Sequence, residues 1–176
     1  MSFVELSIAI MVLLVTPGPT NTLLFLAGSE RGWVGALRLI PFELMGYLAT
    51  VVPLSLMGAA YLHDAPRARA VLAVVAGIWV GWLAIKLILP QASKAQPTKI
   101  GPADVLVTTL LNPKALLFGL VLLPSPVHLT ANIALFAAEV VLVACGWAAL
   151  GAWMGRTGST RPGAMTWVRR GASLWL

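Results

Sequence analysis

Val15-Thr-Pro-Gly-Pro-Thr-Asn-Thr-Leu-Leu24 lies inside residues 6–29, a stretch of 24 residues without a charge. About 20 apolar residues in a helix cross the hydrocarbon core of a bilayer, so the stretch is long enough to span. Two prolines fall near its middle. Pro17 and Pro19 have no N–H, and their rings clash with the preceding turn, so carbonyls around Leu13 and Val15 lose their helical partners. Lipid offers those carbonyls no replacement, and each orphan is expensive. Thr16, Thr20, Asn21 and Thr22 are polar at the same depth and able to cap a second half-helix. The plain alternative is a proline kink with the hydroxyls bonded back onto the helix. Pro-Gly-Pro among four polar residues favours a true break. A half-helix N-terminus attracts a carboxylate, and freed carbonyls attract cations.

The composition agrees with a membrane setting. Of 176 residues, 59% are hydrophobic and 10% charged, and the mean hydropathy is +0.90. Average soluble domains are roughly 45–50% apolar and about 25% charged, so this chain lacks the polar residues to coat a soluble core. Disorder needs the opposite composition. The net charge of +6 comes from scattered Lys and Arg without a basic run, which argues against nucleic acid as a partner. The single cysteine, Cys145, excludes an internal disulfide, a Cys-x-x-Cys pair and a thiolate cluster. The first residues, Met-Ser-Phe-Val-Glu, carry no basic n-region, so the first apolar stretch is expected to stay as an anchor.

Further spans are predicted at residues 44–63, 70–85 (reaching Pro90 if Lys86 snorkels), 103–124 and 129–154, with Pro124-Ser-Pro-Val-His128 as a tight turn. The fourth contains Lys114. Twelve strong apolar residues at about −0.5 kcal/mol each supply roughly −6, against roughly +3 for one central Lys. Insertion wins, which places Lys114 inside the membrane. Residues 163–176 are too short to cross and read as the start of a sixth helix or an interfacial tail. The expected fold is therefore an all-α integral membrane protein with five full transmembrane helices plus a truncated sixth. Residues 1–90 would form a first three-helix repeat, 91–102 a cytoplasmic linker, and 103–176 a second repeat. Nine Lys or Arg flank one side (Arg31, Arg38, Lys86, Lys94, Lys99, Arg156, Arg161, Arg169, Arg170) and two the other (Arg67, Arg69). That bias places connections 28–38 and 86–102 in the cytoplasm and the N-terminus outside. Trp33, Tyr61, Trp153 and Trp167 fall near helix ends, as an interfacial belt would.

Three spans per half make the two repeats run in opposite directions. Each opens with a proline-broken helix, Pro17-Gly-Pro19 in one and Asn112-Pro113 in the other, each followed by Leu-Leu-Phe. Paired interruptions of this kind point to a transporter site. The two segments, Val15 to Leu24 and Leu111-Asn-Pro-Lys-Ala-Leu-Leu-Phe118, resemble the signature segments of the lysine-exporter (LysE/RhtB) family of amino-acid efflux proteins. Ala76-Gly-Ile-Trp-Val-Gly-Trp-Leu-Ala-Ile-Lys86 is similar to that family's third helix. The resemblance runs from about Phe3 onward. It implies six helices in two inverted triplets, a plasma-membrane location, and export of amino acids or related small metabolites driven by an ion gradient. By motif position it implies a substrate site of Pro17, Gly18, Pro19, Asn21, Asn112, Pro113 and Lys114. Pro41-Phe-Glu43 stands where the family more often has a Gly-rich stretch.

Ionisable groups buried in a membrane are costly and usually face the bundle interior. Lys114 is expected to bind a substrate carboxylate or to alternate with a proton, and Glu139 to hold an ammonium or carry the coupling proton. A plain Lys114–Glu139 pair that orders the bundle is the structural alternative. Glu43 is either a gate or a snorkelling rim carboxylate. Pro41 and Pro53 should kink the second span. Gly77-x-x-x-Gly81 and Gly151-x-x-x-Gly155 permit close helix packing and can equally serve a homodimer. His63 and His128 are too isolated to suggest a metal, and the chain shows no phosphate loop, nucleotide fingerprint or Ser/His/Asp set, so no cofactor is expected. An integral-membrane enzyme would need clustered acids or nucleophiles at one depth, and the carboxylates here are scattered. The favoured function is a secondary transporter exporting a small zwitterion by alternating access, with a proton as the expected coupling ion. The alternative is a non-transporting or assembly-dependent membrane subunit of the same fold.

Overall fold

The computed structural model describes residues 2–61, 67, 71, 74, 78, 100–124 and 127–158. Helix α1 (Phe3–Val15) opens on a capping box. Glu5 N–H donates to Ser2 Oγ (3.3 Å), and Ser2 N–H donates to the Glu5 carboxylate (2.8 Å). Its buried residues, Leu6, Ile10 and Leu14, recur every fourth position and form one stripe. Pro17 and Pro19 stop it. Helix α2 (Pro19–Leu37) restarts the chain with proline at its first position, where no N–H is needed, and the two axes meet at 61°. From Leu23 to Gly28 every residue of α2 is buried, so this helix lies at the centre of the molecule. Helical geometry fails inside α2 at Gly32 (φ 73°, ψ 171°), a conformation that only glycine adopts without strain. The chain therefore stays helical in outline past Ser29, through much of what the sequence suggested was a connection.

Helix α3 (Ile40–Tyr61) carries Pro41 in its first turn and Pro53 in its interior. Pro41 was expected to bend the span. In the first turn its missing N–H has no helical partner to lose, so it starts the helix instead. Helix α4 (Pro102–Leu110) is again proline-initiated, and Gly101 N–H donates to the Asp104 carboxylate at 2.7 Å. After a break at residues 111–113 the chain resumes as α5 (Lys114–Leu117). It passes directly into a π-turn over Phe118–Leu122, closed by Leu123 N–H to the Phe118 carbonyl at 3.0 Å. The axes of Pro102–Leu110 and Lys114–Leu122 meet at 52°. Helix α6 (Leu129–Gly158) has 30 residues, a length of roughly 45 Å.

Among the described residues α3 and α6 are each long and apolar enough to cross a membrane. Counted as one broken span each, the two bent pairs raise that number to four. No strand occurs among the described residues. Most of the expected third span, the 91–99 part of the linker and the start of a sixth helix lie outside the described residues. Arg67, Val71, Val74 and Ile78 are helical and exposed.

Two apolar clusters hold the bundle. One gathers Leu23, Leu24, Phe25, Leu26 and Ala27 of α2 with Ala144 and Ala148 of α6. The other joins Leu6, Ile10 and Leu14 of α1 to Tyr47, Phe118, Phe136 and Val140. At the α2–α6 crossing the main chains touch. A Cβ on Gly151 would lie 1.9 Å from the Phe25 carbonyl oxygen, one on Gly28 2.2 Å from that of Ala148, and one on Gly155 2.5 Å from that of Ser29. The Gly151-x-x-x-Gly155 face is thus filled by α2 and offers nothing to a second copy of the chain. Gly77-x-x-x-Gly81 lies outside the described residues.

Candidate functional site

The first break is paired off residue by residue. Thr16, extended at φ −55° and ψ 128°, turns its hydroxyl back to the Val12 carbonyl at 2.7 Å. Asn21, one turn into α2, reaches across the gap and donates its amide to the carbonyls of Leu14 (2.7 Å) and Thr16 (3.1 Å). The Leu13 carbonyl would bond to the N–H of residue 17 in an unbroken helix, and Pro17 has none. Its donor comes from another element: Lys114 Nζ bonds Leu13 O at 2.8 Å and Thr16 O at 2.5 Å. Gly18 makes room for that ammonium, since a Cβ there would stand 3.2 Å from Nζ. The restarted helix has Gly18 as its N-cap and no side-chain cap, so the expected role of Thr16, Thr20 or Thr22 as cap is not realised. Thr22 instead bonds back to the Gly18 carbonyl at 2.9 Å.

The second break closes on the first. Asn112 is buried, and its side-chain amide donates to Tyr47 Oη (3.0 Å) and to Thr20 Oγ1 (3.3 Å), while its Oδ1 accepts the Lys114 backbone N–H (3.1 Å). Thr20 and Thr109 place their hydroxyl oxygens 3.3 Å apart. Thr109 spends its only hydroxyl proton on the Val105 carbonyl at 2.7 Å. Thr20 must then be the donor in the pair, which orients the row from Asn112 through Thr20 and Thr109 to Val105. Each break thus supplies polar side chains to the other: Asn112 and Lys114 to residues 13–20, and Thr20 to Thr109.

Glu43 stands beside this junction on α3, one turn before Tyr47. It is only 2% exposed, its Oε2 has no hydrogen-bond partner, and its carboxylate interacts electrostatically with the Lys114 ammonium and with Tyr47. That removes the rim reading: a snorkelling carboxylate would face water. Glu139 sits elsewhere. It is 5% exposed, accepts a hydrogen bond from Ser7 Oγ on α1, and leaves Oε2 without a partner. Ser7 precedes Leu13 by six residues, about 9 Å along the helix. Lys114 bonds to backbone carbonyls and senses Glu43, so the Lys114–Glu139 pair is not the arrangement found. Below the junction Tyr47, Phe118 and Phe136 stack edge to face or tilted, with centroids 4.8–6.0 Å apart.

The structure brings Gly18, Asn21, Asn112 and Lys114 together, with Pro17, Pro19 and Pro113 shaping the two breaks and Glu43 adjoining. Glu139 forms a separate polar spot with Ser7. Sequence reasoning did not single out Tyr47 or Thr109. Tyr47 was findable, since it lies four residues after Glu43 and therefore on the same helix face. The π-turn left no readable signal. Among the described residues no group of three or more His, Cys, Asp or Glu is placed to hold a metal.

No curated protein and no solved structure matches the chain. The family profile described as LysE type translocator matches residues 11–173, which takes in both proline breaks and the whole junction. The proline breaks, the lysine that bridges them and this match over nearly the full length agree: the chain belongs to the LysE type translocator family of membrane transporters.

Proposed function

We propose that this translocator exports amino acids or related small zwitterionic metabolites across the plasma membrane by alternating access, with a proton as the coupling ion. The observation that carries the reading is the junction of two broken helices, where Lys114 after one break bonds the freed carbonyls of the other. Discontinuous helices that present backbone poles and buried ionisable groups at one place are the usual ingredients of a secondary-transporter site. A zwitterion suits a site that offers both signs. The Lys114 ammonium and the α2 N-terminus are the positive features; Glu43 and the carbonyls are the negative ones. In this reading Pro17, Gly18, Pro19, Asn21, Asn112, Pro113 and Lys114 form the substrate site, and Glu43 and Glu139 serve coupling or gating. Residues 1–90 and 103–176 act as two inverted repeats, joined by 91–102, that rock about the site. The N-terminus faces outside, and connections 28–38 and 86–102 face the cytoplasm.

Counterflow in proteoliposomes tests it. Labelled amino acids should accumulate against a preloaded unlabelled pool of the right one, and an imposed proton gradient should drive net movement. Failure of every amino acid to exchange would overturn the export reading. Exchange that ignores the proton gradient would remove the proton from the mechanism.

A further inference from the structure

The Leu13 carbonyl could have had an ordinary main-chain donor if residue 17 were anything but proline. It receives the head of a lysine from a different helix instead, and the same ammonium also satisfies Thr16. The difference is detachability. A backbone N–H is fixed where the chain puts it, whereas an ammonium on a four-carbon stem can leave while both main chains stay in place. The surroundings are built around that head. Gly18 is bare where a methyl would press on Nζ at 3.2 Å. Asn21 fixes Leu14 and Thr16 from the other side. Glu43 lies within electrostatic reach with a buried oxygen that has no partner. Thr16 and Pro17 are exposed and Lys114 is half-buried, so the place is approachable from outside the bundle.

We propose that the carbonyls of Leu13 and Thr16 form a seat for one primary ammonium, which Lys114 fills at rest and which the ammonium of a bound ligand takes over, freeing the Lys114 head to meet that ligand's carboxylate. This rests on the zwitterion reading above and adds the exchange of partners. The exchange keeps the charge balance, because a zwitterion adds no net charge and each group that gives up a partner gains another. It also sets selectivity. A quaternary ammonium has no N–H to give the two carbonyls. A carboxylate without an amine would draw Lys114 away and leave the carbonyls with no donor, a costly state at membrane depth. Ligands are therefore selected for N–H donors and not for positive charge alone.

The test uses the full-length purified protein, with methylammonium and tetramethylammonium as probes. Lys114→Ala empties the seat, so its unfolding midpoint should fall below that of the wild type. Methylammonium should restore about 2–4 °C in a saturable way, and tetramethylammonium should not. Equal responses to both cations, or no response to methylammonium, would overturn the seat. If Lys114→Ala does not fold, the wild type answers alone. The chain has four lysines, so a 15N-lysine spectrum resolves Lys114, assigned by its loss in Lys114→Arg. Here the probes are zwitterions, free glycine and its N-trimethyl analogue betaine, because the freed lysine needs a carboxylate to meet: its Nζ resonance should move on titration with glycine and stay still with betaine, and movement with both or with neither sinks the proposal. Neither arm requires transport. Absence of amino-acid exchange with the methylammonium effect intact would therefore count against the export reading alone.

Discussion

At the scale of single residues, the junction depends on small geometric allowances. Gly18→Ala places a methyl about where Lys114 needs clearance, and the flexible lysine head is what must give. Loss of one hydrogen bond from a charged group costs about 1.5–3 kcal/mol, or roughly ten- to a hundredfold in an equilibrium constant. Gly18→Ala should accordingly weaken amino-acid exchange by about tenfold or more, while the protein still purifies as a folded monodisperse species; unchanged exchange would show that the lysine needs no room there. Asn112→Asp tests the second break. Aspartate keeps the Oδ1 that accepts the Lys114 N–H but has no amide to give Tyr47 and Thr20, so two buried acceptors lose their donor. The expected result is a lower thermal midpoint, with Asn112→Ala lower by a similar amount; a midpoint equal to that of the wild type would mean the amide bonds carry no weight. Which residues mattered was partly readable in advance. Proline's chemistry names the orphaned carbonyls directly. Which group rescues them, and that Glu43 rather than Glu139 answers Lys114, depends on how α3 and α6 are packed, and no local pattern encodes that.

At the scale of helices, the α2–α6 crossing is the tightest contact. Leucine at Gly151 would drive a side chain into the Phe25 main chain, where nothing flexible can yield. Gly151→Leu should therefore fail to give a stable detergent-solubilised protein. Gly146→Leu, five residues earlier on the same helix with no atom within 4 Å of a Cβ, should fold with a midpoint close to that of the wild type. A thermal-melt comparison of the two separates close packing from a general intolerance of leucine in α6. Both breaks and the long helix α6 were legible because apolar length and proline are local signals. The π-turn after Lys114 was not, because Phe-Gly-Leu-Val-Leu reads equally well as ordinary helix. Its extra residue shifts the register between Phe118, which stacks on Tyr47 and Phe136, and Leu123, which joins the same cluster.

At the scale of the whole molecule, orientation is the property that charge counting predicts and packing does not test. In a Cys145→Ala background, Val127→Cys at the turn before α6 should react with a membrane-impermeant maleimide on intact cells. Thr157→Cys at the far end of α6 should react only after permeabilisation. The reverse pattern would invert the assignment. The bundle also divides unevenly in how it is tied. Where α2 meets α6 the main chains abut with nothing between them, so in the proposed cycle that crossing is the fixed axle about which the two repeats turn. The 13-residue rod α1 is attached differently. It hangs from the Pro-Gly-Pro elbow and is held by single side chains, Lys114 and Asn21 on its Leu13 and Leu14 carbonyls and Glu139 on its Ser7. Rocking of the two repeats about that axle should then swing this rod about its elbow and open the junction to one side of the bilayer. A covalent tether from α1 to α6 should stall substrate exchange, whereas a tether from α2 to α6 should leave it running.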